Sequence, residues 1–301
     1  MVRLHRITTI LLLIFAFQTS AQTTALLLQN IEQIIASENA VVGVSIIGPK
    51  AQDTLSINGG SHLPMQSVFK FHIALALLSE VDKGRFSLDQ KININKADLL
   101  PGTHSPMRDK YPDGASLSIS EILKYTVSSS DNNGCDILLR LIGGPQTVED
   151  YFAKNNFKDF SIKINEETMH GEWEQQFRNW TTPIAASGLL SAFYDKHQTF
   201  LSTKSYSFIW KLMKETTTGP GRLKGQLPEG TIVAHKTGSS GSSKEGITAA
   251  LNDIGIVFLP KGQHFVISVF VSNSKEDEKT NEKIIADIAK SAWDFFTARE
   301  E

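Results

Sequence analysis

Ser67 and Lys70 stand three residues apart at the head of an apolar stretch running from Met65 to Gly84. Val68, Phe69, Phe71, Ile73 and the run from Ala74 to Leu78 predict a helix with no polar face to receive Lys70. A buried ammonium costs on the order of several kcal/mol unless something partners it. At this spacing the two side chains share one helix face, a turn apart, and the first amides of the helix are free to meet an oxyanion forming at Ser67. A lysine so placed could accept the serine proton and activate a nucleophile for acyl transfer. On these two residues alone a structural reading weighs as much. Ser-x-x-Lys recurs from Ser272 to Lys275, within the polar run Ser272 to Glu278, where Lys275 reads as a solvated charge.

Further elements shift the balance. Ser130-Asp131-Asn132 falls between two short helical patterns, and Lys236-Thr237-Gly238 ends a strand pattern. Singly, the first could be a helix cap and the second an ordinary strand end. In this order and these contexts the three motifs resemble those of the class A serine β-lactamases, and the resemblance spans nearly all of the chain after its first residues.

The resemblance implies a role for each position. Ser67 is the nucleophile that becomes acylated, Lys70 its proton partner, and Ser130 the hydroxyl that passes a proton to the departing lactam nitrogen. Asn132 holds the substrate's side-chain amide, and Lys236 with Thr237 receives the substrate carboxylate. The backbone N–H groups of Ser67 and Ser239 form an oxyanion hole. Arg222 sits where some members place an extra arginine that reaches the same carboxylate, with a surface role the alternative. The segment Asn165 to His170, ahead of Asn179-Trp180-Thr181-Thr182-Pro183, resembles the long loop carrying the deacylating base. Glu166 is the expected base and Glu167 its rival. Glu166 is preferred because a second water-holding side chain follows the family's base by four residues, here His170.

The sequence departs from the commonest family pattern at His170, at Asn179 in place of an aspartate, at Ile164 in place of that aspartate's arginine partner, and at Gln66. These features, with Met-Gln-Ser-Val-Phe-Lys, are similar to the PER-like branch, which is associated with cephalosporins bearing bulky oxyimino groups. The customary ion pair of the loop cannot form here.

The elements that must position these residues are legible in outline. Residues 25–37 read as an amphipathic helix, and 41–47 and 54–58 as strands. Ser118 and Glu121 form a capping box ahead of Ile122, and a second helix over 133–142 stops at Gly143-Gly144. Strands follow at 231–237, 247–259 and 264–271, then a helix over 276–299. The expected fold is α/β: the two-domain serine β-lactamase/DD-peptidase-like fold, with an antiparallel sheet and terminal helices from residues 22–62 and 216–301. An all-helical domain from 63–215 is inserted, and the site lies at the junction.

Composition narrows the function. Thirty Lys and Arg against 32 Asp and Glu leave a net charge of −2 and no basic block, so no nucleic-acid partner is expected. Arg3, His5 and Arg6 precede the apolar run Ile10 to Phe17, the pattern of a signal peptide ending at Ala21. A periplasmic or secreted protein with no membrane span after processing is expected, acting as a monomer on a small-molecule β-lactam. The single cysteine, Cys135, reads as a small core residue. No metal-ligand spacing or phosphate loop occurs, so neither metal nor cofactor is expected. A DD-peptidase shares the nucleophile-side motifs but lacks the deacylating glutamate. A β-lactam sensor would be acylated without turnover. A general serine esterase would carry Gly-x-Ser-x-Gly, which is absent.

Overall fold

The computed structural model describes residues 24–50, 52–195 and 200–300. The expected signal peptide lies outside the described residues. A helix over residues 24–36, α1, leads into β1 (Val41–Ile47) and β2 (Thr54–Ile57). The short strand β3 (Leu63–Pro64) and a 3-10 turn (Gln66–Val68) precede α2 (Phe69–Asp82). Then come β4 (Lys91–Asn95), α3 (Pro106–Lys110), β5 (Gly114–Ser118), α4 (Ile119–Ser128), α5 (Asn132–Leu141) and α6 (Pro145–Lys154). After β6 (Phe160–Ser161) a single turn, α7 (Glu166–Met169), is followed by β7 (Trp180–Thr181), α8 (Pro183–Asp195) and α9 (Thr203–Lys214). The chain closes with β8 (Val233–Ser239), β9 (Thr248–Phe258), β10 (His264–Ser274) and α10 (Glu278–Thr297).

The main sheet runs β2-β1-β10-β9-β8 and is antiparallel throughout, so strands from both ends of the chain meet, Val41 opposite Ser272. Its strands are apolar on both faces because both faces are covered. Val266 and Phe270 join the core built around α2, whereas Phe265, Ile267 and Val269 pack with Leu27, Ile31, Ile285 and Ile288 from α1 and α10. Alternation along β10 therefore separates two cores rather than core from water. α2 is buried on every side from Phe69 to Ser79, with Lys70, His72 and Ser79 its polar side chains there, as befits a central helix.

Local chemistry sets the boundaries near the site. The Ser118 hydroxyl accepts from the Glu121 amide while Glu121 accepts from the Ser118 amide, so α4 starts at the expected box. Asp131 caps α5 by accepting from the Gly134 amide at 2.8 Å, and also fixes the preceding loop through Ser105 and the Met107 amide. The expected helix from Met65 begins instead with the separate 3-10 turn, because Gln66 adopts φ of 46°. The expected strand over 231–237 is displaced to 233–239, since the Thr231 amide closes a turn on the Pro228 carbonyl. β10 runs on past Val271, held by the pairing of Ser272 with Val41 and of Ser274 with Thr248. No described helix is long and apolar enough to cross a membrane.

Candidate active site

The 3-10 turn lifts Ser67 to the rim of a cleft of about 400 Å³, and α2 carries Lys70 into the floor beneath it. Lys70 has no solvent exposure, and its partners explain its burial: Nζ lies 2.8 Å from Glu166 Oε1 and donates to Ser67 Oγ at 2.8 Å and to the Ser130 carbonyl at 2.8 Å. Asn132 Oδ1 accepts from it as well. The carboxylate provides the counter-charge that a buried ammonium requires. Glu166 Oε1 also accepts from Ser67 Oγ at 3.4 Å. Nucleophile, ammonium and carboxylate thus form one closed cluster.

Ser130 precedes α5 with φ of 57°, a left-handed conformation rare for a side chain of its kind. This turn presents both its carbonyl and its hydroxyl to cations. The hydroxyl accepts from Lys236 Nζ at 3.0 Å and lies 3.5 Å from Lys70 Nζ. Burial, then the nearby Lys70 charge, pushes Lys236 well below the ordinary lysine range, against the pull of Asp253 and Glu166. Thr237 Oγ1 lies 2.6 Å from Thr218 Oγ1 across the cleft mouth. β8 is the edge strand, and the Ser240 amide is spent on the Ala250 carbonyl of β9. By alternation the Ser239 N–H points the other way, into the cleft. The Ser67 amide opens a helical segment, where no intrahelical acceptor exists for it.

Arg222 is buried, which excludes the surface alternative. Its guanidinium donates to Gly238 O and Asn252 O at 3.1 Å each and to Ser239 Oγ at 2.7 Å, and pairs with Glu282 at 3.2 Å. It lines the cleft while bracing the end of β8. Asn132 Nδ2 donates to Thr103 Oγ1 and lies 3.4 Å from His170 Nε2. His170 is half-exposed, with Nδ1 2.8 Å from the Glu166 carbonyl and 3.6 Å from its carboxylate. Every residue expected from the sequence lies at this cleft or in its walls. Glu167 does not share the position of Glu166: it is exposed, whereas Glu166 is buried against Lys70.

The neck of the loop, where Ile164 meets Asn179, is closed by hydrogen bonds to main chain rather than by an ion pair between those two positions. Asn179 Oδ1 accepts the Lys163 and Ile164 amides at 2.8 and 3.1 Å, and its Nδ2 donates to the Ile164 carbonyl at 2.9 Å. A neutral amide thus binds main chain where an arginine partner would otherwise be needed.

Sequence reasoning passed over Asp136. Its carboxylate accepts the Glu166 amide at 2.8 Å, the Glu167 amide at 2.9 Å and Asn165 Nδ2 at 3.0 Å, holding the turn that carries Glu166 from below. The signal was its place four residues after Asn132 on the same face of α5. Burial raises its carboxyl from 3.8 to about 6, against the two amide hydrogen bonds. Cys135 is buried and its thiol pushed up by burial, as an inert core residue should be.

A serine whose hydroxyl meets a lysine and a carboxylate, between two candidate oxyanion amides, defines an acyl-transfer hydrolase of the serine type. The chain belongs to the β-lactamase enzyme family, whose family model matches residues 26–296, and within it to class A. It is 55% identical to β-lactamase VEB-1 of Pseudomonas aeruginosa over 278 residues, 92% of each chain. Identity is 45% to the extended-spectrum β-lactamase PER-1 of the same organism, covering 95% of this chain and 92% of that protein. The crystal structure of TLA-1 extended-spectrum β-lactamase superposes with a TM-score of 0.88 at 53% identity, over 91% of this chain and 99% of the other.

Proposed function

We propose that the chain hydrolyses the lactam ring of penicillins and cephalosporins through an acyl-enzyme on Ser67, and so confers resistance to them. The observation that carries this reading is the contact of Glu166 Oε1 with both Ser67 Oγ, at 3.4 Å, and Lys70 Nζ, at 2.8 Å. A carboxylate at the nucleophile is what a peptidase or a sensor would lack. Ser67 Oγ attacks the lactam carbonyl carbon and gives its proton to the Lys70 and Glu166 pair, while the Ser67 and Ser239 amides take up the developing oxyanion. As the C–N bond breaks, Ser130 gives its proton to the nitrogen and is resupplied through the lysines at 3.0 and 3.5 Å. Lys236, Thr237 and Arg222 form the positive wall for the substrate carboxylate, and Asn132 takes the side-chain amide. Glu166, with His170 beside it, then activates water to cleave the ester and restore Ser67.

The cleft adjoins at His170 a second space of about 550 Å³ between the loop and the turn after β8, lined by Gln66, Trp173, Gln176 and Ser242 among others. It supports acceptance of bulky oxyimino side chains. Export to the periplasm or medium follows from the leader-like first residues, and a monomer completes the reading.

Glu166→Gln separates hydrolase from acyl trap. Mixed with a chromogenic cephalosporin, the variant should show a persistent covalent adduct by intact mass, and turnover should fall by a factor on the order of a hundred or more. Ser67→Ala should show neither adduct nor turnover while remaining folded. Normal turnover by Glu166→Gln, together with adduct accumulation by Glu167→Gln, would transfer the base to Glu167. An adduct held indefinitely by the parent protein would replace hydrolysis with the sensor or peptidase reading.

A further inference from the structure

The two amides assigned to the oxyanion hole come from segments about 170 residues apart in sequence, a separation across which main-chain geometry alone gives no register. One side chain spans them. Asn252 is fully buried on β9, directly opposite Gly238, the residue before Ser239. Its Nδ2 donates to the Pro64 carbonyl at 2.8 Å and to the Met65 carbonyl at 3.2 Å, just ahead of Gln66 and Ser67. Its own main-chain carbonyl and that of Gly238 accept from the same Arg222 nitrogen, at 3.1 Å each. The contact between the segments is tight: a Cβ on Gly238 would fall 2.5 Å from the Met65 carbonyl oxygen. The Met65 amide is held from the other side by the Asn179 carbonyl at 2.9 Å.

We propose that Asn252 is a positioning residue that holds the Ser67 amide and the Ser239 amide at the spacing the tetrahedral intermediate requires. The inference rests on the acyl-enzyme reading above. Its side-chain oxygen, Oδ1, is buried without a partner. A buried orphan acceptor needs an explanation, and here the amide serves only as a forked donor, a task that aspartate or leucine of similar size cannot perform. Asn252 touches no substrate atom and acts through the turn that carries Ser67.

The test uses an arylboronic acid, which bonds to Ser67 Oγ as a tetrahedral adduct with one oxygen in the oxyanion hole. Asn252→Ala should lose about 10- to 100-fold in kcat/KM, less than the 10²- to 10³-fold seen when a hole donor is itself removed. Boronate affinity should fall by the same factor. Affinity for intact cephalosporin, measured in the Ser67→Ala background with and without the Asn252 change, should stay within about threefold, because ground-state binding does not load the hole. Asn252→Asp, which sets an acceptor against two carbonyls, should lose at least as much. If Asn252→Ala does not accumulate folded, Asn252→Ser, with a shorter donor, carries the same comparison. The proposal is overturned if kcat/KM and boronate affinity stay within threefold of the parent, or if all three constants fall by one common factor, as general loosening would give. A parent protein that forms no boronate adduct on Ser67 refutes the acyl-enzyme reading instead.

Discussion

Asp136→Asn tests whether the turn bearing Glu166 is held by charge or merely by shape. The substitution keeps one oxygen for the Glu166 amide but turns an NH₂ toward the Glu167 amide and Asn165 Nδ2, which now donate to the carboxylate at 2.9 and 3.0 Å. Each lost hydrogen bond to a charged group is worth about 1.5–3 kcal/mol. Burial outweighs those bonds and raises the carboxyl from 3.8 to about 6, so that even with its hydrogen bonds counted the ionised form carries a net cost of about 3 kcal/mol at neutral pH. Asparagine sheds that cost but turns its NH₂ toward two donors, so global stability should change little while the local hold on α7 is lost. A displacement of Glu166, the proposed base, by about 1 Å is worth on the order of 10² in rate. The expected result is a melting temperature within a few degrees of the parent, turnover of a chromogenic cephalosporin reduced about a hundredfold, and acyl-enzyme visible by mass during turnover. Turnover within threefold of the parent and no adduct would show that shape alone suffices. The pH dependence gives an independent reading. A carboxyl whose folded value is raised contributes stability fully present below 3.8 and lost as pH rises through about 6. Urea unfolding should therefore favour the parent over Asp136→Asn by about 2–3 kcal/mol more at pH 4 than at pH 7.5.

Asn179→Asp should destabilise the protein by about 2–4 kcal/mol, because it sets a buried carboxylate against the Ile164 carbonyl with no arginine to pair it; thermal melting at pH 7 checks this. His72, fully buried among Phe71, Phe152 and Phe160, is lowered from 6.5 to about 4 by burial, opposed by the Val68 carbonyl. Its contribution is fully present above 6.5 and lost as pH falls toward 4, so unfolding free energy should show an acid slope that His72→Leu flattens by about 3 kcal/mol. Cephalosporins with and without an oxyimino group should show comparable kcat/KM; a preference of more than about a thousandfold for the smaller ones, about 4 kcal/mol, would contradict an enlarged site.

The candidate catalytic groups could be picked out because acyl transfer calls for particular residue types at short range. Ser67 and Lys70 are one helical turn apart, and the cap of α4 is written in Ser118 and Glu121. What sequence could not supply is whatever depends on how distant segments meet. Arg222 could be placed near the cleft, but not its grip on Gly238 and Asn252, which depends on the pairing of β8 with β9. The missing ion pair at Ile164 and Asn179 was visible as an absence; its replacement by an amide bound to main chain was not, since backbone acceptors leave no mark in the sequence. The start of α2 was misplaced by a few residues because nothing in Met65-Gln66-Ser67 announces a positive φ at a glutamine.

The meeting of strands from both ends of the chain sets when this protein can first act. Ser67, Lys70, Ser130 and Glu166 lie on segments made early, but Lys236 and the second proposed oxyanion amide, that of Ser239, belong to β8, which is held in the sheet only by β9, itself placed by β10 against β1. Lys70 and its carboxylate partner both precede β8 in the chain. Ser130 cannot meet Lys236, nor Asn252 the turn before Ser67, until the last strand is laid down. Domains form as units once their distant pairings close, and pairings across such spans close late. The site is therefore complete only where β10 is docked between β1 and β9.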